Sequence, residues 1–562
     1  MKTIITALND PTDGISQLSS AWITPSQLHA LFHKDPGLIW LEHHGAAHGF
    51  VPDESAYAFS DFITEKGRQF EATWLRHMVP GAPQVCADPC EARLPIKVQA
   101  TLAHMANSES VIVQPALWWP EHQLYGVPDL IVLRSWLMKR FPTVITHIAD
   151  EDADDHYVVI DLKFTSNLEE RSKKTDRAFY EAQVRLYSAM LANIQNVMPQ
   201  YAFLITRDRI ADPWSVPVNM TNGQIVSKEI IEKCANCRSI KVNGANYTPW
   251  THHEIVGVNA KRCDERWHTA KKIITQERIA GGALETLYYV GAKEASKIAA
   301  RGYHCIADLL ACDPATIDFE RTGVRQRQLR AILSANRSGV VVRPANVVAP
   351  KRRRYEFYVD FEFFGNLNVN FEQEWPELQG CEMIFMVGIA WQEQGNWYER
   401  QFVATAESQD AEHAMLTEVT EFMLEQTSGH LNDPEYTALY HWSRAEKEQI
   451  VKAVCRHNLG ENHVLANLPW VDLCQICEGN AVGIPGAWSY GLKEVAKALG
   501  NLDPGLDPHW PDSLGDGLSA QVMGWGSYRW KNPLVTTEME MLKAYLSADC
   551  RALHSVLVWL RM

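Results

Sequence analysis

The 562-residue sequence lacks any run of about 18 uninterrupted apolar residues, so we expect no membrane-spanning helix. Its first residues reach Asp10 and Pro11 too early for the apolar segment of a secretory signal, which predicts a cytoplasmic protein. The stretch G-x-x-x-x-G-K-[S/T], typical of nucleotide-driven motors, is also missing. Membrane, secreted and motor classes are therefore not expected.

Positive charge is scarce as well: the formal net charge is −15, which argues weakly against a nucleic-acid partner. The argument is weak because net charge averages over the whole molecule, and a local basic run lies at residues 351–355. The twelve cysteines lack the regular spacing of a disulfide framework, and we expect most to be reduced and buried.

What is present is the pattern of an α/β multidomain protein. Helical periodicity precedes strand-like segments at about 97–165, and an amphipathic helix follows at 176–195. Thr24 and Pro25 predict a helix start. Residues 228–340 are mostly helical, 341–353 resemble a linker, and 354–562 form a second α/β pattern.

The stretch His156–Ser166 places two charged residues on one face of a predicted strand. Asp161 and Lys163 point the same way because side chains alternate along a strand, and Leu162 points into the core. Asp129 near another strand and Glu71 on a helix add carboxylates. Such groups can bind a divalent metal and stabilise charge on a phosphate.

These residues occur in an order that resembles the RecB-like branch of the PD-(D/E)XK nucleases. The motifs are Gly67-x-x-x-Glu71, Gly126-Val-Pro-Asp129, Asp161-Leu-Lys163 and Gln183-x-x-x-Tyr187. The resemblance covers about residues 20–240 and implies a restriction-endonuclease-like core within 1–240. It implies that Asp129, Asp161 and Glu71 hold Mg²⁺ or Mn²⁺ and that Lys163 is catalytic. Gln183 and Tyr187 would support the site or contact DNA.

Part of that branch also holds an iron–sulfur cluster through one early and three late cysteines. Cys234, Cys237 and Cys263 resemble the late three, but Lys34 or Asp35 stands where the early one is expected. Cys86 or Cys90 could replace it, or His252 or His253 could complete a zinc site. We expect neither iron–sulfur nor zinc here, since the pattern is incomplete.

The middle region, 241–340, resembles a helix-hairpin-helix module with its turn at Val290-Gly291. The resemblance implies that backbone amides near Gly291, with Lys293, contact phosphate without reading sequence. An ordinary helical hairpin is the alternative.

Acidic residues recur in the last part of the chain. Asp360 and Glu362 share a strand face, Glu446 opens a helix, and Tyr545 and Asp549 lie four residues apart on the final helix. Two adjacent acids repel each other unless a cation lies between them, and four could bracket two metals.

This set resembles the RNase H-like DEDD exonucleases of prokaryotes, over about 353–562. It implies Asp360, Glu362, Glu446 and Asp549 as metal ligands, with Glu446 in place of the more usual aspartate. Tyr545 would orient the attacking water. Asp472 is either a supporting acid or a helix N-cap.

Together the resemblances imply a metal-dependent nuclease with two catalytic domains, acting on DNA rather than RNA in repair or antiviral defence. Any unwinding would need a helicase partner. The alternatives are a DNA-binding scaffold with a degenerate RNase H-like domain, and an exonuclease directed at RNA.

Overall fold

The structure, a computed structural model, describes residues 8–54, 59–144, 155–218, 226–247, 265–278, 282–319, 322–371, 380–510, 517–530 and 532–562. They fall into two compact units. The first lies within 1–53, 64–274 and 371–378, and the second within 54–63, 275–370 and 379–562. In the described ranges, no helix has the length and apolarity needed to cross a membrane.

The first unit combines a mixed sheet with helices. Its strands are β1 (Val111–Val113), β2 (Leu117–Trp119), β3 (Leu124–Gly126), β4 (Leu130–Leu133), β5 (Tyr157–Lys163), β6 (Tyr201–Thr206) and β7 (Trp214–Pro217). Its helices are α1 (His29–Phe32), α2 (Pro36–Trp40), α3 (Phe59–Met78, in this unit from Thr64), α4 (Pro95–Ala106), α5 (Arg134–Arg140), α6 (Lys174–Gln195), α7 (Lys228–Asn243) and α8 (His268–Arg278).

The main sheet has the order β1-β4-β5-β6-β7, in which β5 and β6 are parallel and the other neighbours antiparallel. Along β5, Tyr157 and Val159 join the core against α6, whereas Val158, Ile160 and Leu162 join the core against α3. Both faces are thus covered. The predicted alternation of side chains along this strand is confirmed for Leu162, which is buried in the core on the α3 side of the sheet.

Two predicted strands are shorter than expected. The segment 110–119 breaks at Pro115 into β1 and β2, and the segment 125–135 breaks around Pro128 into β3 and β4. Proline has no N–H to donate to a ladder, so pairing stops there. β2 and β3 then form a separate antiparallel hairpin.

The helix start predicted at Thr24 is present, but the first turn is a 3-10 helix, Pro25–Leu28, that leads into α1. Thr24 and Gln27 form a capping box, in which the Thr24 N–H donates to Oε1 of Gln27 at 3.0 Å. Such a box satisfies amides that the helix itself leaves without partners.

The second unit joins a helical part to a second mixed sheet. Its strands are β8 (Tyr355–Phe364), β9 (Met383–Glu393), β10 (Asn396–Val403), β11 (Thr437–His441) and β12 (Trp470–Asp472). Its helices are α9 (Ala292–Ala300), α10 (Ile306–Ala311), α11 (Val324–Ser338), α12 (Gln409–Gln426), α13 (Ala445–Arg456), α14 (Leu473–Gly479), α15 (Leu492–Leu502), α16 (Gly517–Ser527) and α17 (Thr537–Arg561).

The sheet order is β10-β9-β8-β11-β12, with antiparallel pairing up to β8 and parallel pairing beyond it. β9 and β10, which follow each other in the chain, form an antiparallel hairpin. On β8, Phe357, Val359 and Phe361 join one core, whereas Tyr358 joins the other, with residues of α17. Asp360 and Glu362 follow Tyr358 at spacings of two, and therefore lie on the α17 face.

Residues 341–353 pack against this domain. Val342 and Gly483 exchange two backbone hydrogen bonds of 2.8 Å, and Val347 is buried. The stretch is therefore held along most of its length by the domain that follows it.

Candidate active sites

The acidic residues of the first unit converge at the end of β5. The Nζ of Lys163 lies 2.6 Å from Oδ2 of Asp161. The N–H of Leu162 donates to Oδ2 of Asp129 at 2.6 Å, and the N–H of Asp129 lies 3.4 Å from Oδ1 of Asp161. These contacts bring Asp129, which precedes β4, and Asp161, which lies on β5, into one cluster.

Gln114 completes this cluster and was missed in the sequence. Its Nε2 donates to Oε1 of Glu71 at 2.7 Å, and its backbone N–H donates to the carbonyl of Asp129 at 2.8 Å. Gln114 follows β1 with a φ of 47°, a left-handed conformation uncommon outside glycine. The only signal in the sequence was a polar residue between an apolar strand and Pro115.

Burial dominates the electrostatics of the cluster. It raises the pKa of Asp129 well above its ordinary value, and the charges of Asp161 and Glu71 add to the effect. Burial also raises the pKa of Glu71, while the hydrogen bond from Gln114 opposes this. Acids that repel in this way favour a bound cation, so the site fits Mg²⁺ or Mn²⁺.

Lys163 remains the positive charge of this site. Burial lowers its pKa, but the carboxylates of Asp161 and Asp129 more than offset this and the pKa is raised. The ammonium also lies 5.3 Å from the centre of the Tyr180 ring. A protonated lysine held beside carboxylates is suited to contact a phosphate.

Gln183 and Tyr187 lie behind these residues on α6. Nε2 of Gln183 donates to Oγ of Ser26 at 3.0 Å, and it lies 3.3 Å from the hydroxyl of Tyr187. Both side chains are buried, at 5% and 3% exposure. Of the two predicted roles, this placement favours support of the site over direct contact with DNA.

The cysteines predicted as cluster or zinc ligands are buried thiols where the structure describes them. Burial raises the pKa of both Cys234 and Cys237 to about 12, whereas metal ligation requires thiolates. Cys263, His252 and His253 lie outside the described residues.

None of the residues considered at the position of the early cysteine ligand improves the fit to a metal. Asp35 accepts a hydrogen bond from the buried ammonium of Lys271, which already supplies a cation there. Cys86 is buried with its pKa raised to about 11 by burial, and Cys90 is exposed. Among the described residues, no three cysteine, histidine or acidic side chains bring their ligand atoms together at these positions.

The acids of the second unit also converge. Asp360 and Glu362 come from β8, Glu446 from the first turn of α13 and Asp549 from the middle of α17. Burial raises the pKa of Asp360 and of Glu362 well above ordinary values. The charges of Asp549 and Glu446 add to both effects, which shows that the four carboxylates lie close together.

Three side chains around these acids were not predicted. Nε1 of Trp510 donates to Oδ1 of Asp549 at 2.7 Å, and Nδ1 of His441 lies 3.1 Å from Oε2 of Glu446. Burial raises the pKa of Asp549 to about 6, opposed by the Trp510 hydrogen bond and the charge of Lys493. Lys493 also lowers the pKa of Glu362. The sequence signals for His441 and Lys493 were the runs that contain them, "YHWSRAE" and "SYGLKEVAKALG", whereas Trp510 lies outside both runs.

Tyr545 lies one turn before Asp549 on α17, as its spacing predicts. It is buried, and Nζ of Lys493 lies 4.3 Å from the centre of its ring. Asp472 caps α14: its Oδ1 accepts from the N–H groups of Gln475 at 2.9 Å and Ser443 at 3.1 Å. Asp472 therefore has the capping role.

A cavity of about 620 Å³ opens beside His441. Its lining includes the cationic side chains of Arg444, Lys447 and Lys452 and the ring of Trp470. His441 joins this cavity to Glu446. Cations and an aromatic ring next to an acidic cluster suit a polynucleotide, which offers phosphates and bases.

The helical part of the second unit differs from the predicted hairpin. The first helix is a single 3-10 turn, Leu284–Thr286, and Gly291 is the exposed N-cap of α9. The side chain of Lys293 lies outside what the structure describes. Arg325, on α11 of this part, lies 2.9 Å from Glu478 and stacks over Tyr289 at 3.4 Å. It is thus engaged within the unit.

Comparison with known proteins finds one family match, in the carboxyl-terminal part of the chain. Residues 371–561 match the family RNase_H_2 of the RNase_H superfamily. No curated protein and no solved structure matches the chain. Asp360 and Glu362 precede the matched range, whereas Glu446 and Asp549 lie inside it. The carboxyl-terminal part of the chain therefore contains an RNase H-like domain, which indicates a nuclease with a nucleic-acid substrate.

Proposed function

We propose that the protein is a metal-dependent nuclease with two active sites. The RNase H-like domain would be a DEDD-type 3′–5′ exonuclease, and the first unit a RecB-like PD-(D/E)XK nuclease. DNA is the proposed substrate, in repair or antiviral defence. The observation that carries the proposal is the convergence of Asp360 with three buried carboxylates, Glu362, Glu446 and Asp549, where the last two lie within the range of the superfamily match.

In the RNase H-like domain, Asp360, Glu362, Glu446 and Asp549 would hold Mg²⁺ or Mn²⁺. When bound, such ions supply Lewis acidity at the scissile phosphate and lower the pKa of a bound water. His441 orients the carboxylate of Glu446, and Trp510 fixes that of Asp549. Lys493 balances part of the negative charge, and Tyr545 would position the attacking water.

The cavity beside His441 supports a single-stranded substrate. Its lining includes Arg444, Lys447 and Lys452, cations that can bind backbone phosphates. The Trp470 ring offers a stacking surface, which tolerates any base. The site thus supports cleavage without sequence preference.

In the first unit, Asp129, Asp161 and Glu71 would hold a metal, and Lys163 would act on the phosphate. The observation that supports this site in the first unit is the ion pair between Lys163 and Asp161 on one face of β5. Gln183 and Tyr187 would fix the strand face from behind. In the helical part, amides at the start of α9 by Gly291, and Lys293, would contact the backbone of the nucleic acid.

The test uses end-labelled single- and double-stranded DNA and RNA with Mg²⁺, Mn²⁺ or EDTA. It compares the wild type with Asp161→Ala plus Lys163→Ala, and with Asp360→Ala plus Glu362→Ala. The control is Glu435→Ala, because that side chain is 79% exposed and its ion-pair partner is Arg353 rather than a residue of the acidic cluster.

We expect each double variant to remove a different metal-dependent product pattern, and the control to match the wild type. Shortening from the 3′ end should disappear in the Asp360 variant. If that variant behaves as the wild type, the RNase H-like domain is a binding module and the two-site proposal fails. Cleavage of RNA alone would refute the choice of DNA.

A further inference from the structure

Three potential metal ligands lie together in the first unit, and none of them is a member of the acidic cluster. They are His29, His33 and Asp176, and one ligand atom from each lies within 4.8 Å of the others. Nε2 of His33 is 3.0 Å from Oδ1 of Asp176, and the two imidazole rings are 4.3 Å apart. Neither candidate active site uses these residues.

The local fold explains why the two histidines face the same way. The N–H of His33 donates to the carbonyl of His29 at 3.1 Å, which is an α-helical turn. Residues four apart on such a turn share one face. Asp176 is in the first turn of α6, and the bond from Gln183 to Ser26 joins α6 to the turn just before α1.

Of the two histidines, His33 is the buried one. Its side chain is only 4% exposed, and its Nδ1 has no hydrogen-bond partner among the residues described. Asp176 is 28% exposed and His29 is exposed, so an ion can reach the group from solvent.

We propose that His29, His33 and Asp176 bind a first-row transition-metal ion, with Zn²⁺ as the first choice. Two imidazoles and one carboxylate are borderline ligands that suit zinc, whereas Mg²⁺ takes oxygen ligands. In a tetrahedral site with bonds near 2.0 Å, ligand atoms lie about 3.3 Å apart. The Nε2–Oδ1 distance is already close to this value, and a water would take the fourth position.

The consequence of this site is structural. A bound ion would join the segment of α1 to the start of α6, the helix that carries Gln183 and Tyr187. It would therefore stabilise the surroundings of Lys163 without taking part in the chemistry. Binding requires neutral imidazoles, and protons compete with the ion for the same nitrogen atoms, so affinity should fall in acid.

The test measures Zn²⁺ binding to the full, tag-free chain after treatment with EDTA and buffer exchange. A chromophoric competitor gives the affinity and stoichiometry, and Co²⁺ in place of Zn²⁺ gives a spectrum that reports nitrogen ligands. The variants are His29→Ala, which changes an exposed side chain, and His33→Ala. His104→Ala, a histidine of α4 in the same unit, is the control.

We expect the wild type and the control each to bind one more equivalent of Zn²⁺ with high affinity than either variant does. Loss of a direct ligand should weaken binding at this site by more than about 100-fold, since loss of an outer contact alone costs 10–100-fold. Co²⁺ absorption should disappear with His29→Ala. Equal stoichiometry and spectra in wild type and His29→Ala would overturn the proposal, whatever Zn²⁺ the carboxylate clusters bind. The readouts do not depend on nuclease activity.

Discussion

The protein without metal should lose stability as the pH rises, because of the acids in the RNase H-like domain. Burial raises the pKa of Asp549 from an ordinary 3.8 to about 6, and raises those of Asp360 and Glu362 well above ordinary values. The folded state therefore holds these protons more tightly than the unfolded chain. Their contribution is complete below the unfolded pKa, near 4, and disappears as the pH rises through the folded pKa.

The size of the effect follows from the shift. For Asp549, a change from 3.8 to about 6 corresponds to about 3 kcal/mol of stability lost between acid and neutral pH. Asp360 and Glu362 act in the same direction. A metal that binds the ionised carboxylates reverses the trend, and a free concentration of 100 times Kd adds about 2.7 kcal/mol.

The assay is thermal unfolding in EDTA, and again with Mn²⁺, between about pH 5 and about pH 8. In EDTA the unfolding temperature of the wild type should fall with rising pH, and Asp549→Asn should reduce that fall. Mn²⁺ should stabilise the wild type most at the alkaline end. Glu435→Gln, an exposed acid of the same domain, should keep the wild-type profile. A wild type that gains stability with pH in EDTA, or an Asp549→Asn protein with an unchanged profile, would refute the reasoning.

Three further predictions concern stability and cofactor content. Gly126→Ala should destabilise the protein by about 1–3 kcal/mol in denaturant unfolding, because the new Cβ would lie 2.7 Å from Cε1 of Tyr187. Arg456→Met should cost about 3–5 kcal/mol in the same assay, because it removes the bidentate partner of the fully buried carboxylate of Glu412. Cys237→Ala should leave the visible spectrum and iron content of anaerobically purified protein unchanged, because this thiol is buried and protonated.

Matched controls exist for these variants. Gly67→Ala adds a Cβ that meets no atom within 4 Å. If it lowered the free energy of unfolding as much as Gly126→Ala does, the packing argument would be contradicted. Arg400→Met breaks an exposed ion pair with Glu418 and should cost less than about 1 kcal/mol. A visible absorption band that Cys237→Ala abolishes would show that a cluster binds there after all.

The sequence predicted what depends on short-range periodicity. Alternation along a strand placed Asp161 and Lys163 together and Leu162 in the core, and the spacing of four placed Tyr545 and Asp549 on one helix face. These relations hold for any regular element, so they need no knowledge of the tertiary fold. The order of motifs then indicated an RNase H-like domain, which the family match supports.

The rest depends on contacts between residues far apart in the sequence. Gln114 meets Glu71 across 43 residues, and Trp510 meets Asp549 across 39. Lys493 acts on acids from a different helix and from β8. No local pattern marks Gln114 or Trp510, because their roles arise only when the elements pack. The division of two predicted strands has a local cause, because proline has no N–H to donate to a β-ladder. The apolar pattern of these segments continues across the proline and did not indicate the break.

The central claim is that the RNase H-like domain is itself a working nuclease. The most direct measurement compares Asp161→Asn with the double variant Asp161→Asn plus Asp360→Asn on 3′-labelled single-stranded DNA with Mg²⁺. The account predicts that the single variant still shortens the strand from its 3′ end and that the double variant does not. Equal cleavage by the two proteins, or none by the single variant, would contradict it.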